Sequence, residues 1–202
     1  MILEGIVTTL ADDGAVNVAP MGPHVPDEPG TDPLRRFVLK PFCSSQTYRN
    51  LKAHGEGVLH VTDDVLLLAQ AAVAVPDPLP SLFPAEHIRG SVLCDACRYA
   101  EFRVTACEDR GERSTFEVEV LHVGRLLDFF GFNRAKHAVL EAAILATRTS
   151  FLPLESIEAE FARLVIAVEK TGGTRERQAF AFLRTHLDQV KQQRLSGSRA
   201  DD

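Results

Sequence analysis

The chain has 202 residues, of which 45% are hydrophobic and 25% are charged, and its net charge is −6. Such a chain can bury one large core or two small ones, and it lacks the basic block that a nucleic-acid partner would need. Its longest apolar run, at residues 65–75, is too short to span a membrane and is interrupted by Gln70. With four cysteines and no recognisable signal peptide, we expect a cytoplasmic protein with reduced thiols and no membrane partner.

The first part of the chain has the patterns of β structure. A β-branched run at residues 3–10 and the Asp-Gly turn that follows it predict a hairpin with a second strand at residues 15–21. Further strands are predicted at residues 35–42, 57–63, 97–109 and 113–129, and a short helix at residues 44–55. Residues 65–75 fit a helix or a strand, with length favouring the helix, and the Pro-rich stretch at 76–84 indicates a loop.

After Gly131 the apolar residues recur with the helical period of 3.6 instead of the strand period of 2. Three helices are predicted, at residues 133–148, 156–173 and 174–195. We therefore expect a β-rich domain at residues 1–131, a helical domain at residues 132–195 and a disordered polar tail at residues 196–202.

Two short stretches carry unusual residues for their predicted elements. The strand at residues 15–21 contains Asn17, Ala19 and Pro20 where a core strand would have Val or Ile. Small residues allow a close approach to the backbone, proline removes ladder pairing, and the asparagine amide can donate and accept. A flat heteroaromatic ring could be held by such a strand.

The second stretch lies where a strand gives way to the short helix. It concentrates a cation, hydroxyls and amides, namely Lys40, Ser45, Gln46, Thr47 and Asn50. A phosphate group is held by such donors and by the free N–H groups at a helix N-terminus. Each stretch alone also fits an ordinary strand end or helix cap, but their joint occurrence favours one site for a phosphorylated ring cofactor.

The two stretches resemble the FMN-binding split-barrel superfamily, in its flavin-reductase-like branch. The matching pattern runs from Gly14 through Asn17, Ala19 and Pro20 to Ser45, Thr47, Asn50 and Leu51. The features Thr8-Thr9, residues 19–22 (APMG), Lys40 and the helical stretch at 133–148 are similar to those of an uncharacterised subfamily with a helical C-terminal domain.

The resemblance implies an α+β fold, in which a six-stranded split β-barrel of the FMN-binding type precedes a small C-terminal helical domain. It further implies a homodimer with FMN near the subunit interface. Lys40, Ser45 and Thr47 would hold the phosphate, with Gln46 and Asn50 beside them, and Asn17, Ala19 and Pro20 would border the isoalloxazine. Lys40 stands where related proteins commonly have arginine. It therefore offers the phosphate a single point charge and not the paired hydrogen bonds of a guanidinium group.

Further residues and pairs are candidates for a functional site. His24 follows the APMG stretch and is the best candidate for a substrate contact, although a plain loop histidine is the simpler interpretation. Glu86 and His87 follow the Pro-rich loop and could cover a flavin. Cys94 and Cys97 have the C-x-x-C spacing without a second pair, which favours free thiols over a metal or redox site, so no metal is expected.

Two functions of different classes follow from these features. The first is an FMN-dependent oxidoreductase of the flavin-reductase type that acts on an unknown small substrate, with no catalytic side chain assigned because the cofactor carries the electrons. The second is a non-catalytic flavin-binding, interaction or sensor protein. No Ser-His-Asp order, P-loop or Rossmann motif is present to suggest another chemistry.

Overall fold

The fold is described from a computed structural model, for residues 1–28, 30 and 32–197. The strands are β1 (Gly5–Leu10), β2 (Val16–Met21), β3 (Val38–Leu39), β4 (Glu56–Val61), β5 (Leu82–Pro84), β6 (Ser91–Leu93), β7 (Arg98–Arg110) and β8 (Arg113–Arg125). The helices are α1 (Gln46–His54), α2 (Val65–Val73), α3 (Arg134–Ala146), α4 (Leu154–Thr171) and α5 (Thr174–Gly197), with a 3₁₀ turn η1 (Pro33–Arg35). No helix in these ranges is both long and apolar enough to cross a membrane.

The chain divides into two compact units. The first comprises Met1–Asp63 and Asp77–Phe129, and the second comprises Asp64–Pro76 and the chain from Phe130 onward. The change of unit after Phe129 lies two residues from the expected boundary at 131. The expectation that residues 1–131 form one domain differs from the structure in one respect, because α2 packs with α3 and α5. Its apolar run is a helical one, as the length predicted.

The first unit is an antiparallel sheet that curls into a split barrel. Among the described residues six strands form this sheet, in the order β2-β1-β4-β7-β8-β3. Two register shifts between the long strands β7 and β8 add the local bends that a curled sheet needs. The α+β fold with a six-stranded split barrel, predicted from the resemblance, is confirmed.

The barrel closes through the chain segment around His24. Its backbone exchanges two hydrogen bonds with Val38 of β3, at 2.8 and 2.9 Å, and it also bridges to Ile2, just before β1. Bonds from Leu3 N–H to the Pro23 carbonyl and from Val25 N–H to the Met1 carbonyl flank this bridge. One short segment therefore joins the two sides of the six-stranded sheet, in which β2 remains an edge strand along residues 16–21.

Apolar side chains from every wall fill the barrel. Val7, Phe37, Leu59, Phe102 and Phe116 are all at most 1% exposed. The rings of Phe37 and Phe102 meet edge to face with centroids 5.4 Å apart.

The loop expected at residues 76–84 is not wholly irregular, since β5 begins at Leu82 and pairs with β6. Three residues are too few for a period of 2 to be recognised in the sequence.

The second unit is a set of helices around an alanine-rich α3. Asn133 caps α3 by accepting the N–H groups of Ala135 and Lys136, and Phe161 of α4 packs on Phe180 of α5 at 5.4 Å. Asp64 caps α2 and also pairs with Arg175 of α5. The disordered tail was expected from residue 196, but α5 continues through Ser196 and Gly197. The rest of that tail, residues 198–202, lies outside the described residues.

A buried histidine spans the barrel wall. His60 is 0% exposed, its Nδ1 lies 3.1 Å from the Ile6 carbonyl, and its Nε2 accepts the Leu93 N–H at 3.1 Å. This pairing requires a neutral ring with the proton on Nδ1. Burial lowers the pKa of His60 to about 4, and the bond to Ile6 opposes the shift only in part.

Protonation of His60 should therefore weaken the fold in acid. The folded-state pKa lies below the unfolded value of 6.5, so the unfolded chain takes up the proton first and stability falls as pH drops from 6.5 towards 4. Between pH 7.5 and 5 we expect this group to cost about 2 kcal/mol of unfolding free energy. Urea unfolding of the wild type and of His60→Gln measures it. A pH slope that is the same in both proteins would contradict the assignment.

Candidate functional site at the start of helix α1

Helix α1 begins at a serine cap. The Ser45 hydroxyl accepts the Tyr48 N–H at 3.2 Å and donates to the Phe42 carbonyl at 2.7 Å. The helix ends at Gly55, whose φ of 67° lies in the left-handed region that glycine adopts freely. Because the first N–H groups of a helix have no acceptor within it, those of Gln46 and Thr47 are available to a ligand.

A polar network joins this helix to the first hairpin of the barrel. The Asn17 amide of β2 donates to the hydroxyls of Thr9, at 3.3 Å, and of Thr47, at 3.1 Å. The Asn50 amide donates to the same Thr9 hydroxyl at 2.9 Å, and its oxygen accepts from Gln46 at 2.6 Å. The structure thus brings together four of the predicted site residues, and Thr9 is the acceptor on which two of them converge.

Arg49 lies on the exposed side of the network. Its guanidinium donates to the Gln46 side-chain oxygen at 2.7 and 3.1 Å and to the Ser44 carbonyl at 2.7 Å. It lines a cavity of about 320 Å³ between residues 11–13 of the hairpin turn and the α1 face that carries Gln46 and Asn50. Arg49 was not among the predicted site residues, although its spacing of three from Gln46 would have placed both on one helix face.

The three predicted residues of β2 do not share a face. Asn17 and Ala19 pair with Thr9 and Val7, whereas Pro20 pairs with Ile6 on the alternate face. All three are half-buried. Since β2 is the edge strand, Pro20 removes no bond from the centre of the sheet, and the outer backbone edge of β2 is open to a ligand.

Lys40 and His24 form a separate group. The pKa of His24 is lowered by burial first, and then by the positive charges of Lys40, the N-terminus and Arg113. Arg113 donates to the Lys40 carbonyl at 2.8 Å and lies over the ring of Phe42, 3.7 Å from its centroid. Among the described residues, no hydrogen bond or ion pair joins Lys40 to the Thr9 network. His24 closes the barrel through its backbone, so its role as a substrate contact stays a prediction.

The segment with Glu86 and His87 is held by a buried carboxylate. Glu101 of β7 is 0% exposed and accepts the N–H groups of Glu86, at 3.1 Å, and His87, at 2.7 Å. The ring of His87 stacks on His122 with centroids 4.7 Å apart. Glu101 was not predicted as a functional residue. It fixes the segment, and whether that segment covers a flavin stays a prediction.

The cysteine pair lies in the turn that leads into β7. Cys97 is buried and its Sγ lies 3.8 Å from the Asp128 carbonyl, while Cys94 is half-buried, and neither forms a disulfide among the described residues. Within the described residues, no group of three His, Cys, Asp or Glu side chains is placed to hold a metal ion.

Removing the shared acceptor tests the network. In Thr9→Val the shape is kept, but the half-buried amide of Asn17 and the buried amide of Asn50 lose a common acceptor. We expect a loss of about 1–3 kcal/mol of unfolding free energy. Thr105→Val is the matched control, since Thr105 is an exposed strand residue, and it should change stability by less than about 0.5 kcal/mol. Chemical denaturation measures both, and equal effects would refute the network.

Comparison with solved structures supports the split-barrel fold. An FMN-bound DUF447 protein from Methanosarcina mazei superposes with a TM-score of 0.77 at 21% identity, over 92% of this chain and 94% of that one. The flavoredoxin of Methanosarcina acetivorans superposes with a TM-score of 0.51 at 11% identity, over 61% of this chain and 68% of that one. The styrene monooxygenase flavin reductase of Pseudomonas putida S12 gives 0.50 at 13% identity, over 60% and 77%.

The sequence itself matches two models of one family. Residues 3–126 match the N-terminal domain of the protein of unknown function DUF447, and residues 133–185 match the second DUF447 model. No curated protein matches the chain. The resemblance to an uncharacterised split-barrel subfamily is confirmed, and the chain belongs to the DUF447 family.

Proposed function

We propose that this protein is an FMN-binding flavoprotein whose cofactor phosphate binds at the start of α1. The observation that carries the proposal is the polar network at the start of α1, next to two free helix N–H groups. In it Asn17 and Asn50 donate to Thr9, Asn17 also donates to Thr47, and Gln46 donates to Asn50. A family member of the same fold, the M. mazei protein, is described as FMN-bound. The site residues of this chain supply donors of the kind a phosphate requires.

The chain's own groups divide the binding between them. Thr47 presents a hydroxyl that already accepts from Asn17 and is thus free to donate to a phosphate oxygen. The amides of Asn17 and Asn50 hold the two threonine hydroxyls in place. Arg49 lies beside Gln46 and supplies a positive charge on the α1 side of the cavity, whose hairpin side carries Asp12 and Asp13. Ser45 is engaged in capping, so we assign it to positioning α1.

The open backbone edge of β2 is where we place the isoalloxazine ring of FMN. Asn17 and Ala19 face α1, and the small Ala19 side chain lets a flat ring approach the backbone. Ring nitrogens and carbonyls would pair with the outer N–H and C=O groups of this strand. Pro20 borders the ring from the backbone only, since its side chain lies on the other face.

When bound, FMN would supply hydride and single-electron transfer at its ring. We propose that the protein uses it as an oxidoreductase of the flavin-reductase type, and we assign it a small-molecule substrate. We further propose a homodimer, which rests on the resemblance alone. A non-catalytic flavin-binding module is the second candidate, since the hydroxyls and amides of the network would bind a cofactor whether or not the protein turns it over.

Titration with FMN tests the binding proposal. The wild type should quench FMN fluorescence with micromolar affinity, and Thr47→Ala should weaken binding about tenfold, because it removes a hydrogen bond to a charged group. Thr185→Ala is the control, since Thr185 is exposed on the helical unit. Gln46→Ala serves as a second variant in case the buried Thr47 change disturbs folding. No quenching by the folded wild type would refute the proposal.

Reduction of the bound flavin separates the two candidate functions. An oxidoreductase should accelerate the anaerobic reduction of FMN by NADH or NADPH by at least about tenfold over free FMN, because it orients donor and flavin. Bleaching of the flavin band in stopped-flow measures this. If the protein binds FMN but reduction with either donor is no faster than in free solution, the non-catalytic candidate replaces flavin-reductase activity.

A further inference from the structure

The mouth of the barrel opposite to α1 carries a cluster of arginines. Arg98 is the first residue of β7 and Arg125 the last of β8, and the two are direct partners across the ladder. Arg35 of η1 lies beside them, and all three line one cavity of about 350 Å³. A cavity of this size is typical of a small-molecule site, and barrel mouths are a common place for one.

The register shows that this cavity is distinct from the α1 site. His60 of β4 pairs with Ile6 of β1 and with Tyr99 of β7. Arg98 therefore lies towards the start of β1, whereas Thr9 lies near its end. Ala100, two residues after Arg98, belongs to the barrel core, so Arg98 points along the interior side of the sheet at its mouth.

The cavity has an excess of positive charge in an acidic protein. Three guanidinium groups share it with one carboxylate, Asp32, whose Oδ2 lies 2.5 Å from Arg98. Burial alone would raise the pKa of Asp32, but the hydrogen bonds from Arg98 and Leu34 N–H and the charges of Arg98 and Arg35 outweigh it and lower the pKa. Asp32 thus stays ionised and offsets one of the three charges.

The arginine pair is unfavourable on its own. Like charges directly opposite each other on neighbouring strands destabilise a sheet. Arg125 also pairs with Asp128, but both side chains are largely exposed, at 70% and 79%, so that ion pair contributes little. An anion held between the arginines would turn their repulsion into attraction, with little cost in displacing Asp128.

We propose that this mouth binds a small molecule through a doubly charged anionic group, a phosphate or a pair of carboxylates. The exposed side chains of Arg35 and Arg125 can move to contact the ligand, whereas Arg98 is held in place by its ion pair with Asp32. Guanidinium groups bind both anions through paired hydrogen bonds. The site is independent of the FMN proposal.

Titration of the arginine Nε–H signals by NMR tests the site. Inorganic phosphate and succinate are added separately at constant ionic strength, without FMN and with FMN in excess. We expect saturable shifts of the Arg98 signal with at least one anion, and the anion that binds tighter identifies the ligand class. In Arg35→Gln/Arg125→Gln the affinity should fall about tenfold or more, because two charged contacts are lost.

The control is Arg163→Gln/Arg184→Gln, which removes the same charge from exposed arginines of the helical unit. Equal weakening in both double variants, or no saturable shift in the wild type at millimolar anion, would overturn the proposal. So would loss of the Arg98 response on adding FMN, because the mouth would then belong to the flavin site. Failure of FMN to bind leaves this readout unaffected, so the two proposals fail separately.

Discussion

The closure of the sheet at His24 is the constraint on which the barrel depends. A chain segment without regular structure of its own bonds to Val38 on one side and is bridged to Ile2 on the other. Without this join, β3 would be an open edge of the sheet, and the core around Phe37 and Phe102 would lack a wall. Closure also gives the barrel two ends, and each end carries a different set of polar groups.

At the α1 end neutral hydroxyls and amides pair with one another, with Thr9 as the acceptor of Asn17 and Asn50, and Arg49 lies on their exposed side. At the mouth they are charged, and only one of the three arginines has a close carboxylate within the cavity. A neutral, preformed network suits a ligand whose position must be exact, because little reorganises on binding. An under-compensated cationic cluster suits a ligand recognised by its charge. The same fold can thus carry two kinds of recognition without their residues overlapping.

Much of this arrangement was predictable from local sequence. The Asp-Gly hairpin, a serine cap at residue 44 or 45 and the change of period after Gly131 each appear in the structure, where Ser45 is the cap. Thr9 as a shared acceptor and the opposed pair Arg98 and Arg125 were not predictable. Both depend on the register between strands, and a shift of one residue would turn these side chains to the other face. Residues 64–76 were assigned to the β-rich domain, although they belong to the helical unit. The sequence of a helix that lies between two strands does not indicate which unit the helix packs with.

The membership of α2 in the helical unit has a consequence for synthesis. Asp64–Pro76 leave the ribosome well before α3, α4 and α5, the helices of their own unit. Until those helices emerge, buried residues such as Val65, Leu67 and Leu68 have no partners and stay in contact with water or a chaperone. The helical unit therefore has to be assembled from two separate lengths of chain. The strands β5 to β8 are synthesised between these two lengths, so they leave the ribosome before the helical unit can be completed.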